Sequence, residues 1–429
     1  MQYVVFCILT HLCLVSSSFG RPDSAAILVF PPYGHSYGIR KATPQHLFMF
    51  FGPRTFFDDP QGLATARLEA WEDTTTEKDD DEVVVYGVNS GRHQIIYNTS
   101  MWTLGLYGRK GSGQDCFLHP KGIAANGKGD VFIADSGNNR IVQLFNPKSK
   151  LQWVRDFNGK DGSDPGLIGP ARIAIDEERR VYVTDTGNRR IVVFSPAGKV
   201  VKRFTSGSSV PTALAVADGT SFWSYFRNER VLFYVENGGR TVVKCTFDGR
   251  TLKKTEMPQG YSACYGAIDY YHNYWITDIR HHCIIKFNHD LQLLDIFGSR
   301  GRGDNQFEEP RGITVYKRYG QVFIAEKKGA QYYWIGTDCR SATLAASERP
   351  GKFALNVNAS EYSYVSVFST AGNDTTTLLT RMRVPPGGTM VKVNGNGWNL
   401  LEIPVTLRLE PTYSSYTYYA WYYPILPVK

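Results

Sequence analysis

A chain of 429 residues is long enough for two or three domains, each with its own core. Its 48 lysines and arginines against 40 aspartates and glutamates leave a formal charge of +8, and the basic residues are scattered along the length instead of forming one run. That distribution excludes the electrostatic footprint of a nucleic-acid-binding protein and leaves solubility as what the excess charge provides.

Residues 1–20 carry no charge and hold two apolar runs, Val4 to Leu9 and Leu12 to Val15, followed by the small residues Ser16, Ser17, Ser18 and Gly20. This pattern predicts a signal peptide cleaved near Gly20, and hence a secreted or cell-surface protein. No later run reaches the roughly 18 apolar residues of a membrane helix, so no membrane span is expected after cleavage. Cleavage would remove Cys7 and Cys13 and leave Cys116, Cys245, Cys264, Cys283 and Cys339, an odd set with no C-x-x-C pair. At most two disulfides can form, so strand pairing must hold the fold. Residues 21–45 read as a lead segment.

Between 46 and 340 the chain repeats itself. Pro120 to Ala124, a turn at Asn126 to Gly129, the run Asp130 to Asp135, the turn Ser136 to Asn139 and the run Arg140 to Phe145 recur fifty residues later as Pro170 to Ala174, Arg180 to Asp185 and Arg190 to Phe194. Each copy holds four short β-branched or aromatic runs split by Gly, Asn, Asp or Pro, the signature of consecutive antiparallel strands. Six strand openings align, at Pro60, Pro120, Pro170, Pro211, Tyr265 and Pro310. A four-stranded unit of this length repeated six times predicts an all-β, six-bladed β-propeller. The sixth unit lacks a fourth strand, and His46 to Arg54 resembles the outer strand of the fifth, Leu291 to Arg300. The expectation is a ring closed by this N-terminal strand, which removes the exposed sheet edge. The acidic stretch between Trp71 and Glu82 has no calcium-loop spacing and reads as a solvated loop.

The Pro-x-Gly-Ile opening with Val131 to Ile141 closely resembles the NHL repeat. That resemblance implies testing two enzyme groups on related propellers. Amidating lyases hold zinc through His residues placed just after the opening Pro; the corresponding residues here are Gln61, Lys121, Ala171, Thr212, Gly266 and Arg311, none of them His. Sugar-lactone hydrolases hold a central divalent metal through inner-strand Glu, Asn and Asp; the residues available here are Asn126, Asp176, Asp218 and Asp269, two of them at turn positions. The paired residues Asp135 with Arg140, and Asp185 with Arg190, recur from unit to unit and so read as structural turn locks rather than catalytic groups. His281 and His282 fall in a hairpin turn.

From 341 to 429 the repeat is gone, and six or seven alternating runs separated by Gly, Asn and Pro predict a small antiparallel β-sandwich. The order Tyr364 to Gly372, Pro385 to Gly395 and a Tyr-rich final strand resembles the hook-cap type of immunoglobulin-like domain.

Arg302, Gly303 and Asp304 spell an adhesion tripeptide, yet they lie in a Gly-rich loop of a kind that recurs where units join, at 108–117 and 159–164. These loops share one face of the ring and carry Arg109, Lys110, Lys160, Arg300, Arg302 and Asp304, a candidate surface for an extracellular protein or glycan. The expected function is therefore a secreted binding or scaffold module without catalysis, metal or cofactor. The alternative is a metal-dependent propeller enzyme with a divalent ion on the axis.

Overall fold

The computed structural model describes residues 27–30, 41–71, 83–100, 103–205, 209–371, 374–417 and 419–427. The expected signal peptide and the acidic stretch 72–82 lie outside the described residues.

The repeating units form separate antiparallel sheets whose strands follow chain order from the inside out. In blade 2 these are Ile123–Ala125, Asp130–Asp135, Arg140–Phe145 and Gln152–Phe157. The innermost strands of the six sheets are Pro60–Ala66, Ile123–Ala125, Pro170–Ile175, Thr212–Asp218, Gly266–Ile268 and Ile313–Tyr316. Each touches the next, and the last returns to the first, so the ring is closed. Second strands are buried on both faces, as Asp130–Asp135 and Val181–Asp185 show throughout their length, because a neighbouring blade covers each side. Outer strands such as Gln152–Phe157 alternate between exposed and half-buried, with only one covered face. Between blades 2 and 3 the seam is filled by Phe132, Ile141, Val183 and Phe194, each such side chain contributing about 1.5–3 kcal/mol on burial.

The glycine of Pro-x-Gly-Ile has a packing cause. A Cβ on Gly312 would stand 2.2 Å from the Gln61 carbonyl, and one on Gly122 would stand 2.6 Å from the Ala171 carbonyl. Neighbouring inner strands come that close, and Gly312 N–H donates directly to Gln61 O at 3.1 Å.

Closure of blade 6 corrects the expectation in detail. An N-terminal strand does complete it, but the strand is Leu28–Val29, pairing with Ile335 and Trp334, and Lys41–Ala42 adds beside Gln331 and Ala330. His46 to Arg54 is no strand: Pro44–Phe51 is a helix. Thr43 and His46 cap its start reciprocally, Thr43 N–H donating to His46 Nδ1 at 3.0 Å, and Pro44 occupies the first turn, where its missing N–H costs nothing. Local capping chemistry overrides the apolar run that suggested a strand.

Past residue 338 two four-stranded sheets face each other. One has the order Gly387–Asn394, Lys352–Ala359, Cys339–Ala346, Leu426–Pro427; the other Asp374–Val384, Ser363–Ala371, Val405–Pro411, Trp421–Pro424. Leu355, Val357, Val365, Val391, Leu407 and Leu409 fill the space between them. The five described cysteines are all free.

The sandwich is docked on blades 5 and 6. Tyr362 stacks on Tyr271 with ring centroids 3.9 Å apart, Arg340 pairs with Asp295 at 2.6 Å, and Ser415 Oγ donates to Ile335 O at 2.5 Å. At the centre of the junction Lys286, wholly buried under the Trp275 ring at 4.1 Å, forms an ion pair with the equally buried Glu361. Asp269 lies 3.6 Å from the same ammonium.

Candidate functional site

The loops that enter each blade run inward from an outer strand to the next inner strand, so they and the mouth of the central channel share one face. Two of these loops are built alike. Arg109–Lys110 pairs in parallel with Cys116–Phe117, and Ser299–Arg300 with Gln306–Phe307. The chain folds over a buried phenylalanine at Gly108 and Gly298, with φ of 95° and 98°; a Cβ on either would stand 2.5 Å from the ring. This geometry leaves Arg109, Lys110, Arg300, Arg302 and Asp304 exposed, with Lys160 exposed on the neighbouring loop. The backbone of the adhesion tripeptide is tied down: Lys41 Nζ donates to Arg302 O at 2.6 Å and to Gly303 O at 2.8 Å. Between blades 4 and 5 a cleft of 530 Å³ opens on the same face, lined in part by Arg240, Glu256, Tyr261 and Arg280.

The turn residues hold these loops in place. Asp135 Oδ1 accepts from Leu118 N–H at 2.7 Å while its Oδ2 takes Arg140 Nε at 2.8 Å, and Arg140 donates onward to Cys116 O at 2.9 Å. Asp185 accepts from Ile168 N–H and Arg190 in the same way, both at 2.7 Å. Burial pushes the Asp135 carboxyl above its ordinary value against the pull of the Leu118 amide and Arg140. Arg190 also grips Asp164 with both terminal nitrogens, and that ion pair holds the Asp164 carboxyl far below the usual carboxylate range.

A second lock, invisible in the sequence reading, links successive blades. In blades 1, 2 and 5 the residue closing the turn in left-handed conformation accepts from the backbone just before the next opening proline: His93 from His119 N–H, Asn139 from Gly169 N–H, His282 from Glu309 N–H, at 3.0, 2.8 and 3.0 Å. Those two histidines are thereby engaged in joining blades. His281 rests on Asp278 at 3.0 Å.

At the axis the repeat register corrects the sequence alignment. Cys264 N–H donates to Thr277 O and Tyr265 O accepts from Thr277 N–H, as Lys121 N–H donates to Ala134 O and Gly122 O accepts from Ala134 N–H, so Cys264, not Gly266, stands at the position after the opening residue. The glycine position is then Gly62, Gly122, Arg172, Ala213, Tyr265 and Gly312 around the ring. Two blades therefore carry a large side chain where the others carry none or a methyl, and those two fill the channel. Tyr265 Oη reaches from blade 5 to Gln61 Oε1 of blade 1 at 2.6 Å. Arg172 of blade 3 lies over the Tyr265 ring, its guanidinium carbon 3.6 Å from the centroid, and donates to Cys264 O at 2.8 Å and Cys264 Sγ at 3.4 Å. Thr212 Oγ1 donates to the same carbonyl at 2.7 Å. The ring-and-guanidinium pair plugs the channel. Replacement of the repeat's glycine by Arg172 was readable as a departure from pattern; its partner was hidden by the shifted alignment.

Beside the plug stand Lys121, exposed on the mouth, and Arg311, paired with Asp59. Partial loss of hydration in the narrow mouth first, and then the Arg172 charge, pull the Lys121 ammonium below its ordinary value; burial does the same to Arg311. An ammonium crowded by a guanidinium is relieved by an anion. Three cations in this mouth do not fit a resident metal ion. At the far end of the inner strands the carboxylates are absorbed by their own turns. Asp176 takes Arg180 N–H, Arg180 Nε and Tyr182 Oη at 2.7–2.9 Å; Asp269 takes Tyr271, Asn273 and Trp275, each at 2.9 Å. Among the described residues no three His, Cys, Asp or Glu side chains converge to hold a metal.

Fold and site together define a closed β-propeller with a cationic, plugged mouth and a docked sandwich. The NHL repeat family matches residues 117–144 and 167–194, the two units that read most clearly in the sequence. No curated protein matches the chain. Among solved structures it is similar to a streptogramin B lyase (18% identity, TM-score 0.43, covering 58% of this chain and 75% of that one). It is also similar to a virginiamycin B lyase from Staphylococcus aureus (17%, 0.43, 59% and 77%) and to a gluconolactonase from Xanthomonas campestris (12%, 0.46, 73% and 98%). Likenesses at this level carry no argument about activity. No helix among the described residues is long and apolar enough to cross a membrane.

Proposed function

We propose that this protein is an exported, non-catalytic binding and scaffold module that captures an acidic extracellular ligand, protein or glycan, on the loop face of its propeller. The observation that carries the reading is the set of basic side chains at the channel mouth, Lys121 exposed, Arg172 over the Tyr265 ring and Arg311 paired with Asp59. Around it the exposed loop residues Arg109, Lys110, Lys160, Arg300 and Arg302 extend the same sign of charge. Such a face steers and holds carboxylate or sulfate groups. The alternative, a metal-dependent lyase or lactone hydrolase on the same axis, meets cations where a metal's ligands would stand.

The sandwich is the second attachment module. Its strand order supports an immunoglobulin-like assignment: first, second and fifth strands in one sheet, with the short eighth strand Leu426–Pro427 added at its edge, and third, fourth, sixth and seventh in the other.

The experiment is titration of the full secreted chain with heparin oligosaccharide and with poly-glutamate, for the protein itself and for Lys121→Glu and Arg172→Gln. Binding that weakens about tenfold in both variants, equivalent to about 1.4 kcal/mol, is expected. Equal binding by all three proteins, or stoichiometric zinc or calcium removed by chelator together with activity on lactones or hydroxyglycine peptides, overturns the reading.

A further inference from the structure

On the opposite face of the ring, blades 2, 3, 5 and 6 turn from first to second strand over the four or five residues 126–129, 176–180, 269–273 and 317–320. Blade 4 uses residues 219–229. The additional length presents Phe222 and Tyr225, 71% and 40% exposed, with Trp223 between them. Large aromatic side chains left together in solvent mark a contact surface more often than single ones do.

The loop is built to hold this display. Ser224 and His272 are fully buried beneath it, Ser224 Oγ 2.7 Å from His272 Nε2, and His272 Nδ1 lies 2.6 Å from Glu229 Oε2, which Lys244 also pairs. Tyr225 N–H donates to Tyr270 O at 2.9 Å, and Gly219 N–H to Glu229 O at 2.6 Å. With no exposure at all, Ser224 is an anchor rather than a nucleophile. Aromatic rings fixed before binding lose little entropy on contact.

Three guanidinium groups lie against the rings. The Arg227 guanidinium carbon lies 5.7 Å from the Phe222 centroid, Arg318 lies 5.3 Å from Trp223, and Arg383 of the sandwich lies 4.4 Å from Tyr225. Neither Arg227, whose Nη1 donates to Ser221 O at 3.0 Å, nor Arg383, which lies over Tyr225, Tyr271 and Tyr362, has a carboxylate partner among the described residues. Arg227 and Arg383 already lie over ring faces on which a sugar would stack, and no carboxylate among the described residues takes the remaining donors of Arg227 or those of Arg383. Trp, Tyr and Arg at the centre of a patch are also the residues that dominate protein–protein contacts.

We propose that the 219–229 loop, together with Arg383, is a second docking surface that takes an acidic segment of a partner protein carrying apolar side chains. Glutamate or aspartate of the partner pairs with Arg227 and Arg383, and its apolar side chains pack against Phe222 and Trp223. The propeller then has two binding faces, one at the channel mouth and one at the domain junction.

The test uses the full chain and a short synthetic peptide alternating Glu with Leu, with its Lys–Leu counterpart and heparin oligosaccharide as comparison probes. Affinity is measured for the protein itself, for Phe222→Ser combined with Trp223→Ser, for Arg227→Glu, for Arg383→Glu and for Lys121→Glu, with melting curves for each. The expected result is a Glu–Leu site that persists in Lys121→Glu once binding at the mouth is lost, and that weakens about tenfold or more in the loop and Arg383 variants at unchanged melting temperature. If the paired aromatic variant unfolds, the two arginine reversals decide. Lys–Leu binding of equal strength, loss only in Lys121→Glu, heparin as the sole probe bound at this loop, or no binding at millimolar peptide would each overturn the proposal.

Discussion

Tyr265 of blade 5 donates its phenolic hydrogen to Gln61 of blade 1 across the propeller axis, at 2.6 Å. Gln61 in turn donates to Asp59, and Asp59 pairs with Arg311, so one chain of contacts ties blades 5, 1 and 6 at the mouth. Burial holds the Tyr265 hydroxyl above its ordinary range, so it stays a donor at every working pH.

Removing that hydroxyl separates the hydrogen bond from the plug. Tyr265→Phe is expected to cost about 1 kcal/mol, the net worth of one neutral hydrogen bond, with the channel still closed. Tyr265→Gly gives blade 5 the glycine of blades 1, 2 and 6 and should open the channel over Cys264. Reaction of Cys264 with a thiol reagent, followed by peptide mapping, should accelerate in the glycine variant and not in the phenylalanine one.

The Asp135 lock holds both an entrance-loop amide and a guanidinium. Asp135→Ala leaves Leu118 N–H and Arg140 without their buried acceptor, and about 3 kcal/mol of destabilisation is expected in a denaturant titration. Asp135→Asn keeps one acceptor for the amide and should cost about half as much. Hydrogen exchange at Leu118 should rise in the alanine variant before global unfolding.

At the domain junction, breaking the buried ion pair is worse than removing it. Lys286→Met alone strands the Glu361 carboxyl and should destabilise by about 3–5 kcal/mol. Lys286→Met with Glu361→Met should recover most of that loss, because two apolar side chains suit the pocket under Trp275. Thermal melts of the four proteins in the cycle give the answer.

The same site predicts a pH slope. Burial raises the Glu361 carboxyl from 4.5 to about 7, opposed by Lys286 and assisted by Asp269 and Asp295. In the window between those values the folded state binds a proton that the unfolded state has released. The stability contributed here therefore falls as pH rises through that window and is flat above it. Urea unfolding between pH 4.5 and 7.5 should show this decline, reduced in Glu361→Gln; an unchanged slope in that variant would assign it to other groups.

Much of the architecture was legible in local pattern. The Gly, Asn and Pro turns, the Asp130 to Asp135 run and its copy at 181–185 are set by side-chain period and turn chemistry, which act between near neighbours. The Asp135–Arg140 pair could be seen because a hairpin turn always brings those positions together. Where the pattern is worn, at Tyr265, the alignment slipped by two residues, because no opening proline marks the strand. His46 to Arg54 misled for a related reason: an apolar run reports burial, not conformation, and Thr43 with Pro44 decided for a helix.

Sequence alone determined that this chain is a strand repeat arranged as blades, with a different all-β module after it, since hydrophobic alternation and turn residues are short-range properties. Only the tertiary structure decided what the ring encloses. Arg172 and Tyr265 are 93 positions apart and belong to different blades, yet they meet because ring closure points both at one axis, and the small residues opposite leave them room. Lys286 and Glu361, in separate domains, are paired by docking in the same way. Contacts made by closure and docking depend on where whole sheets come to rest, and no local spacing encodes that.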